Sequence, residues 1–107
     1  MRRRLTAFGL CLAALAVMQS QAALAGDPAM GHALAKRWCS ECHLVDARQD
    51  SASDQAPPFM TIAQDPATTR AGLATWLSDP HPPMPKLELA RQDIDDLVAY
   101  IESLKAQ

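Results

Sequence analysis

Cys39-Ser40-Glu41-Cys42-His43 is the stretch of this sequence on which its fold and chemistry depend. Residues three apart on a turn of helix face the same way, so both thiols of this C-x-x-C-H pattern can reach one edge of a flat macrocycle. The histidine that follows then lies beneath the ring. The pattern predicts covalent attachment of one haem c, with thioether links at Cys39 and Cys42 and with His43 as an iron ligand.

Two other interpretations of the same five residues are weaker. A thioredoxin-like redox pair needs a preceding strand within a βαβ unit, and no run of this sequence alternates as a strand does. A structural zinc site needs four ligands, usually with a second C-x-x-C or H-x-x-H pair, and the sequence contains no second pair. Haem attachment is therefore the favoured interpretation.

The composition suits one small globular domain. Of 107 residues, 49% are hydrophobic and 21% are charged, with a formal net charge of −2. A chain of this length buries a limited core and usually needs a disulfide, a metal or a cofactor to stabilise it. No stripe of lysine and arginine runs through the chain, so we expect no binding of nucleic acid.

The first 25 residues differ from the rest. Three arginines at positions 2–4 precede an apolar run over Leu5 to Val17, and Ala23-Leu24-Ala25 is a small-x-small cleavage pattern. We predict a secretory signal peptide over residues 1–25, a mature domain over residues 26–107, and a periplasmic location without a membrane span. A retained anchor is the alternative, but the apolar run is shorter than the ~20 residues that a span needs. Cleavage would remove Cys11, which lacks the small preceding residue of a lipidated cysteine.

Helix signals divide the mature chain into an all-α domain of about four helices. Asp27-Pro28 and Asp65-Pro66 are both start signals, and the second helix of this pair should stop at Asp79-Pro80. Residues 91–105 carry the strongest apolar stripe, and a short helix should begin at Pro57-Pro58-Phe59. In the first helix, Met30, Leu34 and Trp38 recur at helical spacing and predict its packed side.

Several ordered features resemble the small class I c-type cytochromes of bacteria, which are monohaem electron carriers with His/Met ligation. The resemblance covers essentially the whole mature chain. The features that carry it are, besides C-x-x-C-H, Gly31 eight residues before Cys39, Pro57-x-Phe59, Trp76-Leu77 followed by Pro80, Met84-Pro85, and Leu97-Val98-Ala99-Tyr100-Ile101. The resemblance implies a cytochrome c fold wrapped around one covalently bound haem, with Gly31 and Tyr100 at a crossing of the first and last helices.

The second axial ligand must approach the iron from the side opposite His43. Met84 is the favoured residue, because the prolines of His81-Pro82-Pro83-Met84-Pro85 stiffen its segment and lower the entropy lost on ligation. Met60 and Met30 are expected in helix packing instead. The alternatives that stay open are His81 or His32 as the ligand, or an open coordination site.

Three further residues have weaker predicted roles near the haem. The carbonyl of Pro57 could accept a hydrogen bond from Nδ1 of His43 and so turn Nε2 toward the iron. Trp76 could pack on the haem and donate its indole N–H to a propionate or to the Met84 sulfur. An ordinary loop proline and a plain core tryptophan are the alternatives. Trp38 could shield the haem or lie partly exposed.

The predicted function is transfer of single electrons through Fe(III)/Fe(II), not enzymatic catalysis, since two axial ligands leave no coordination site for a substrate. Redox proteins such as a respiratory complex, a terminal oxidase or a dehydrogenase would be the partners. The alternatives are an electron-accepting subunit of a periplasmic dehydrogenase and a haem sensor or enzyme with an open distal site. The basic residues are scattered among more numerous acids, which does not favour docking through a cationic ring.

Overall fold

The computed structural model of the protein describes residues 26–53, 56–79 and 81–107. The predicted signal peptide over residues 1–25 and Pro80 lie outside these residues. The predicted helix stop at Asp79-Pro80 is confirmed at its described residue, because the helix ends at Ser78 with Asp79 as its C-terminal cap. The described part is helical and contains no strand. It has four α-helices and a final 3₁₀ turn: α1 (Pro28–Trp38), α2 (Phe59–Gln64), α3 (Arg70–Ser78), α4 (Arg91–Ser103) and the turn Leu104–Ala106. The prediction of an all-α fold with about four helices is confirmed.

The beginning of α1 follows its sequence signal. The Asp27 carboxylate accepts hydrogen bonds from the backbone N–H groups of Ala29 at 2.8 Å and Met30 at 3.3 Å. Pro28 occupies the first helical position, where a missing N–H costs nothing. The backbone N–H of Asp27 also donates to Asp96 Oδ1 at 2.7 Å, which joins the beginning of α1 to α4.

The predicted beginning of α3 at Asp65-Pro66 is wrong. Asp65 instead ends α2, and its carboxylate accepts from the backbone N–H of Ala67 at 2.8 Å in a turn. Thr69 caps α3, with its hydroxyl accepting from the N–H of Gly72 at 3.0 Å. An aspartate before a proline closes a local turn as readily as it caps a helix, so this signal alone does not separate the two structures.

The beginning of α4 lacks a capping side chain at its first flanking residue, Ala90. The Asp93 carboxylate compensates by accepting from the backbone N–H of Ala90 at 2.8 Å, which is one half of a capping box. The negative charge also lies at the positive end of the helix dipole. The α-helix ends at Ser103 and the chain tightens into the 3₁₀ turn, close to the predicted end at residue 105.

The first and last helices cross in close contact at Gly31. A Cβ atom placed on Gly31 would lie 2.0 Å from the backbone oxygen of Asp96 and 2.7 Å from the Cβ of Tyr100. Only a residue without a side chain allows this approach. The crossing therefore fixes α1 against α4 at the level that the family resemblance implies.

Substitution of Gly31 by valine should destabilise the protein by about 1–3 kcal/mol, because the added carbons collide with the backbone of α4. The free energy of unfolding of the haem-loaded protein measures the effect, and the haem spectrum should persist. Ala33→Val is the matched control on the exposed side of the same helix, where we expect a loss below about 0.7 kcal/mol from helix propensity. Equal losses in the two variants would show that the crossing tolerates a side chain.

The predicted packing of Met30 is wrong. Its side chain is 55% exposed, and Trp38 on the same stripe is 51% exposed, with the Arg37 guanidinium 5.3 Å from the ring centroid. The small residues Gly31 and Ala35 form the buried side of α1. The core consists mainly of side chains from the other helices and the loop after α1: Val45, Phe59, Ala63, Leu73, Leu97, Val98, Tyr100, Ile101 and Leu104.

Candidate functional site

The end of α1 presents the two cysteines on one turn. The backbone N–H groups of Cys42 and His43 both donate to the carbonyl of Cys39, at 3.2 and 2.9 Å. Cys39 itself continues the helical pattern, with its N–H 2.9 Å from the carbonyl of Ala35. The five residues of the C-x-x-C-H stretch are thus held by backbone hydrogen bonds in the compact turn that the spacing implies.

The two thiols have different surroundings. Cys39 is 5% exposed, Cys42 is exposed, and both are free. Burial, with a smaller effect from the neighbouring Cys42, raises the pKa of the Cys39 thiol to about 11. Redox-active cysteine pairs depend on a lowered thiol pKa, so this environment is unlike that of a thioredoxin-type site.

The imidazole of His43 is oriented by a backbone oxygen. Its Nδ1 lies 2.6 Å from the carbonyl oxygen of Pro57, at the beginning of the α2 segment. A carbonyl only accepts, so Nδ1 carries the proton and the lone pair of Nε2 remains free to bind a metal. The ring also packs on Phe59, with a centroid separation of 5.2 Å. The structure therefore brings together Cys39, Cys42, His43 and Pro57 as the sequence predicts.

The backbone after His43 is held by hydrogen bonds from residues of α2 and α4. Leu44 accepts at its carbonyl from the N–H of Phe59 at 2.8 Å, and Val45 accepts from the Tyr100 hydroxyl at 2.6 Å. Burial raises the pKa of the Tyr100 phenol, and the Asp46 carboxylate adds to that shift, so the phenol keeps the proton that it donates. The sequence assigns Tyr100 only a packing role, and this hydrogen bond is an addition to it.

His32, one alternative iron ligand, is engaged elsewhere. Its Nε2 lies 2.7 Å from Asp46 Oδ2, and its ring stacks on Tyr100 with centroids 4.8 Å apart. The hydrogen bond from His32, followed by one from the Arg48 backbone, lowers the pKa of the Asp46 carboxyl. This pair links α1 to the loop after the haem motif, which is a structural role.

Met84, Trp76 and His81 form a second group. Met84 and Trp76 line one surface depression between α3 and the segment before α4. The backbone N–H of Met84 donates to the carbonyl of His81 at 3.0 Å, which closes a turn over the prolines. The His81 ring meets the Trp76 ring edge-on at 4.4 Å between centroids. Among the described residues, no hydrogen bond or ring contact joins this group to Cys39, Cys42, His43 and Pro57.

The two other methionines within the described residues differ in setting from Met84. Met60 on α2 is half-buried and packs against the hydrophobic core, as the sequence predicts. Met30 lies exposed on the first turn of α1. Met84 is half-buried in a turn next to an exposed tryptophan, which leaves its thioether in an irregular segment rather than in a packed helix face.

Gln49 is a residue of the site that the sequence does not reveal. It lies in the polar loop after the C-x-x-C-H stretch, where no spacing or composition distinguishes it from its neighbours. Its side-chain amide nevertheless contacts the backbone of that stretch at two carbonyls. Only the closure of the loop brings these groups together.

The residues present fit a haem group. Two thiols on one turn suit two thioether bonds, and a histidine with a free Nε2 suits an iron ligand. Trp76 is 61% exposed and offers an aromatic face to a flat apolar macrocycle. Within the described ranges, no three histidine, cysteine or acidic side chains group as a metal site. None of the helices in those ranges combines the length and apolar character of a membrane span.

Comparisons with known proteins agree with this geometry. Residues 28–105 match the family model described as cytochrome c. Over 97 residues, the chain is 43% identical to cytochrome c-552 of Bradyrhizobium diazoefficiens, an alignment that covers 91% of this chain and 93% of that protein. No solved structure matches the chain significantly.

Proposed function

This chain belongs to the cytochrome c family, and from that premise we propose that it is a periplasmic monohaem carrier that passes single electrons between redox proteins. The family places it among electron-carrying cytochromes with covalently bound haem c. The observation that carries the proposal is the histidine of the C-x-x-C-H turn, whose Nδ1 is held 2.6 Å from the Pro57 carbonyl. That contact leaves Nε2 of His43 available to bind a metal, and both thiols of the same turn are free.

Cys39 and Cys42 would hold the haem. Each thiol adds its sulfur and its hydrogen across one vinyl group, so the two bonds form without an external oxidant. Burial raises the pKa of the Cys39 thiol to about 11, so its thiolate, the more readily oxidised form, is scarcer at neutral pH than that of an ordinary cysteine. When bound, the haem supplies the one-electron Fe(III)/Fe(II) couple.

His43 and Met84 would bind the haem iron. Pro57 fixes the imidazole ring, which lowers the reorganisation needed when the iron changes charge. The turn over the prolines restricts the position of Met84, and Trp76 in the same depression would pack against the haem edge. A soft thioether favours Fe(II) and raises the reduction potential, which suits an electron carrier.

Iron ligation by both His43 and Met84 would distinguish a carrier from an enzyme or a gas sensor. No coordination position would then remain for a substrate, and the chain would act only through contact with redox proteins such as a respiratory complex, a terminal oxidase or a dehydrogenase. Export rests on the sequence pattern of residues 1–25. An oxidising, exported compartment would also explain why the predicted mature chain keeps cysteines only in the haem motif.

Purification of the protein from its host periplasm tests the proposal. We expect one covalently bound haem per chain, a mature N-terminus near Gly26 and a reversible one-electron redox titration. Recovery as a single small chain supports a mobile carrier, whereas recovery in a fixed complex with a dehydrogenase would assign it as a subunit. A protein without bound haem would overturn the proposed function altogether.

A further inference from the structure

We propose that Gln49 is a positioning residue for the haem ligand His43, a role that rests on the haem attachment proposed above. The Gln49 side-chain Nε2 lies 2.7 Å from the carbonyl of Ser40 and 2.9 Å from that of His43. One amide group therefore contacts both the turn between the two cysteines and the histidine itself. The side chain reaches back over the loop to do so.

The orientation of this amide is fixed by its partners. The backbone N–H of Val45 lies 3.0 Å from Gln49 Oε1, and an N–H needs an acceptor. Nε2 also lies 3.0 Å from the carbonyl of Ser51, so its two hydrogens serve three acceptors. Both amide hydrogens are thus engaged, and Oε1 accepts one hydrogen bond. A half-buried polar group with this many partners has one defined position.

Gln49 completes a continuous set of contacts along the segment that follows the haem motif. The carbonyls of His43, Leu44 and Val45 each accept from a different donor, which are Gln49 Nε2, the Phe59 N–H and the Tyr100 hydroxyl. The last two donors come from helices that are distant in sequence. Gln49 alone comes from the loop itself, so it closes the loop on the residue that would bind the iron.

His43 is thus held by three hydrogen bonds. Its ring is bound through Nδ1 to Pro57, its backbone N–H donates to the Cys39 carbonyl, and its own carbonyl accepts from Gln49. A ring that is tied only at Nδ1 can still tilt as its backbone moves. Loss of the Gln49 contact should therefore change the orientation of the imidazole relative to the haem, not merely the stability of the fold.

Gln49→Met tests the inference, since methionine matches the length of glutamine but offers no N–H donor and at most a weak acceptor. In the haem-loaded ferric protein, we expect altered paramagnetically shifted haem-methyl resonances, which report the plane of the axial histidine. We also expect about tenfold faster hydrogen exchange at the Val45 amide, the size of one lost hydrogen bond.

Gln92→Met is the matched control. The Gln92 amide donates to Asp96 Oδ1 at 2.8 Å on α4, so this variant also loses a side-chain hydrogen bond, but away from the haem motif. Its haem-methyl resonances should match those of the unmodified protein even where its melting temperature falls. Unaltered resonances in Gln49→Met, or equal changes in both variants, would overturn the inference.

Gln49→Lys tests the hydrogen-bond donor role of the Gln49 side chain separately from its acceptor role. Its ammonium can donate to the carbonyls of Ser40 and His43 but cannot accept from the Val45 N–H. We expect resonances close to those of the unmodified protein, with fast exchange at Val45. If Gln49→Met yields no haem protein, Gln49→Lys becomes the test. Haem attachment with unmodified resonances in Gln49→Lys supports the inference. Failure of Gln49→Lys to attach haem overturns it. Absence of haem from the unmodified chain would instead contradict the proposed function.

Discussion

Replacement of Met84 by alanine should abolish the weak thioether-to-iron absorption band at the red end of the visible spectrum of the ferric protein. The same change should open the iron to carbon monoxide in the ferrous protein near neutral pH. The reduction potential should fall by a sizeable part of the about 0.8 V range that axial ligands control, because loss of the soft sulfur removes a preference for Fe(II). Visible spectroscopy, carbon monoxide binding kinetics and a redox titration measure the three effects.

Met60→Leu is the control for Met84→Ala. Met60 packs against the core, so the change should leave the band and the potential unaltered at a cost below about 1.5 kcal/mol. A thioether band that persists in Met84→Ala would transfer the ligand role to Met60 or Met30. Rapid carbon monoxide binding by the unmodified protein would instead indicate an open distal site and favour a sensor or an enzyme.

Replacement of both Cys39 and Cys42 by alanine should give a mostly unfolded chain. The buried core is small, and Trp38 and Trp76 remain largely exposed in the described structure, so the polypeptide alone buries little apolar surface. A covalently held haem would supply a large apolar surface to pack against. Circular dichroism during thermal unfolding measures the loss.

The matched control for the double substitution is the unmodified chain produced without haem attachment, which should behave in the same way. A stable apoprotein that melts cooperatively, in either form, would contradict the expectation that folding depends on the haem.

Local signals explain which helices could be predicted from the sequence. The beginning of α1 depends on Asp27 and Pro28, which act within one turn, and the apolar stripe of α4 extends over its whole length. The Asp65-Pro66 signal failed because the same pair closes a turn, while Thr69 supplies the cap. Helical spacing of large apolar residues places Met30 on the packed side of α1, but the close contact between α1 and α4 is made by the small residues Gly31 and Ala35.

The candidate site likewise contains one contact that the sequence predicts and others that it does not. The C-x-x-C-H spacing and the Pro57-x-Phe59 resemblance predict a hydrogen bond between His43 and Pro57, and the structure has these atoms 2.6 Å apart. The contacts of Gln49 could not be predicted, because they depend on how the loop closes and not on spacing or residue type.

The contact between the first and last helices sets the order of events during biogenesis. The hydrogen bond from Asp27 to Asp96 joins residues 69 positions apart, and the bond from Tyr100 to Val45 spans 55. Contacts at such separation form late, because loop closure must precede them and the chain emerges with its N-terminus first. Because the chain without haem is expected to be mostly unfolded, the cysteine-bearing turn should stay accessible until haem is attached, and α1 should pack on α4 only afterwards.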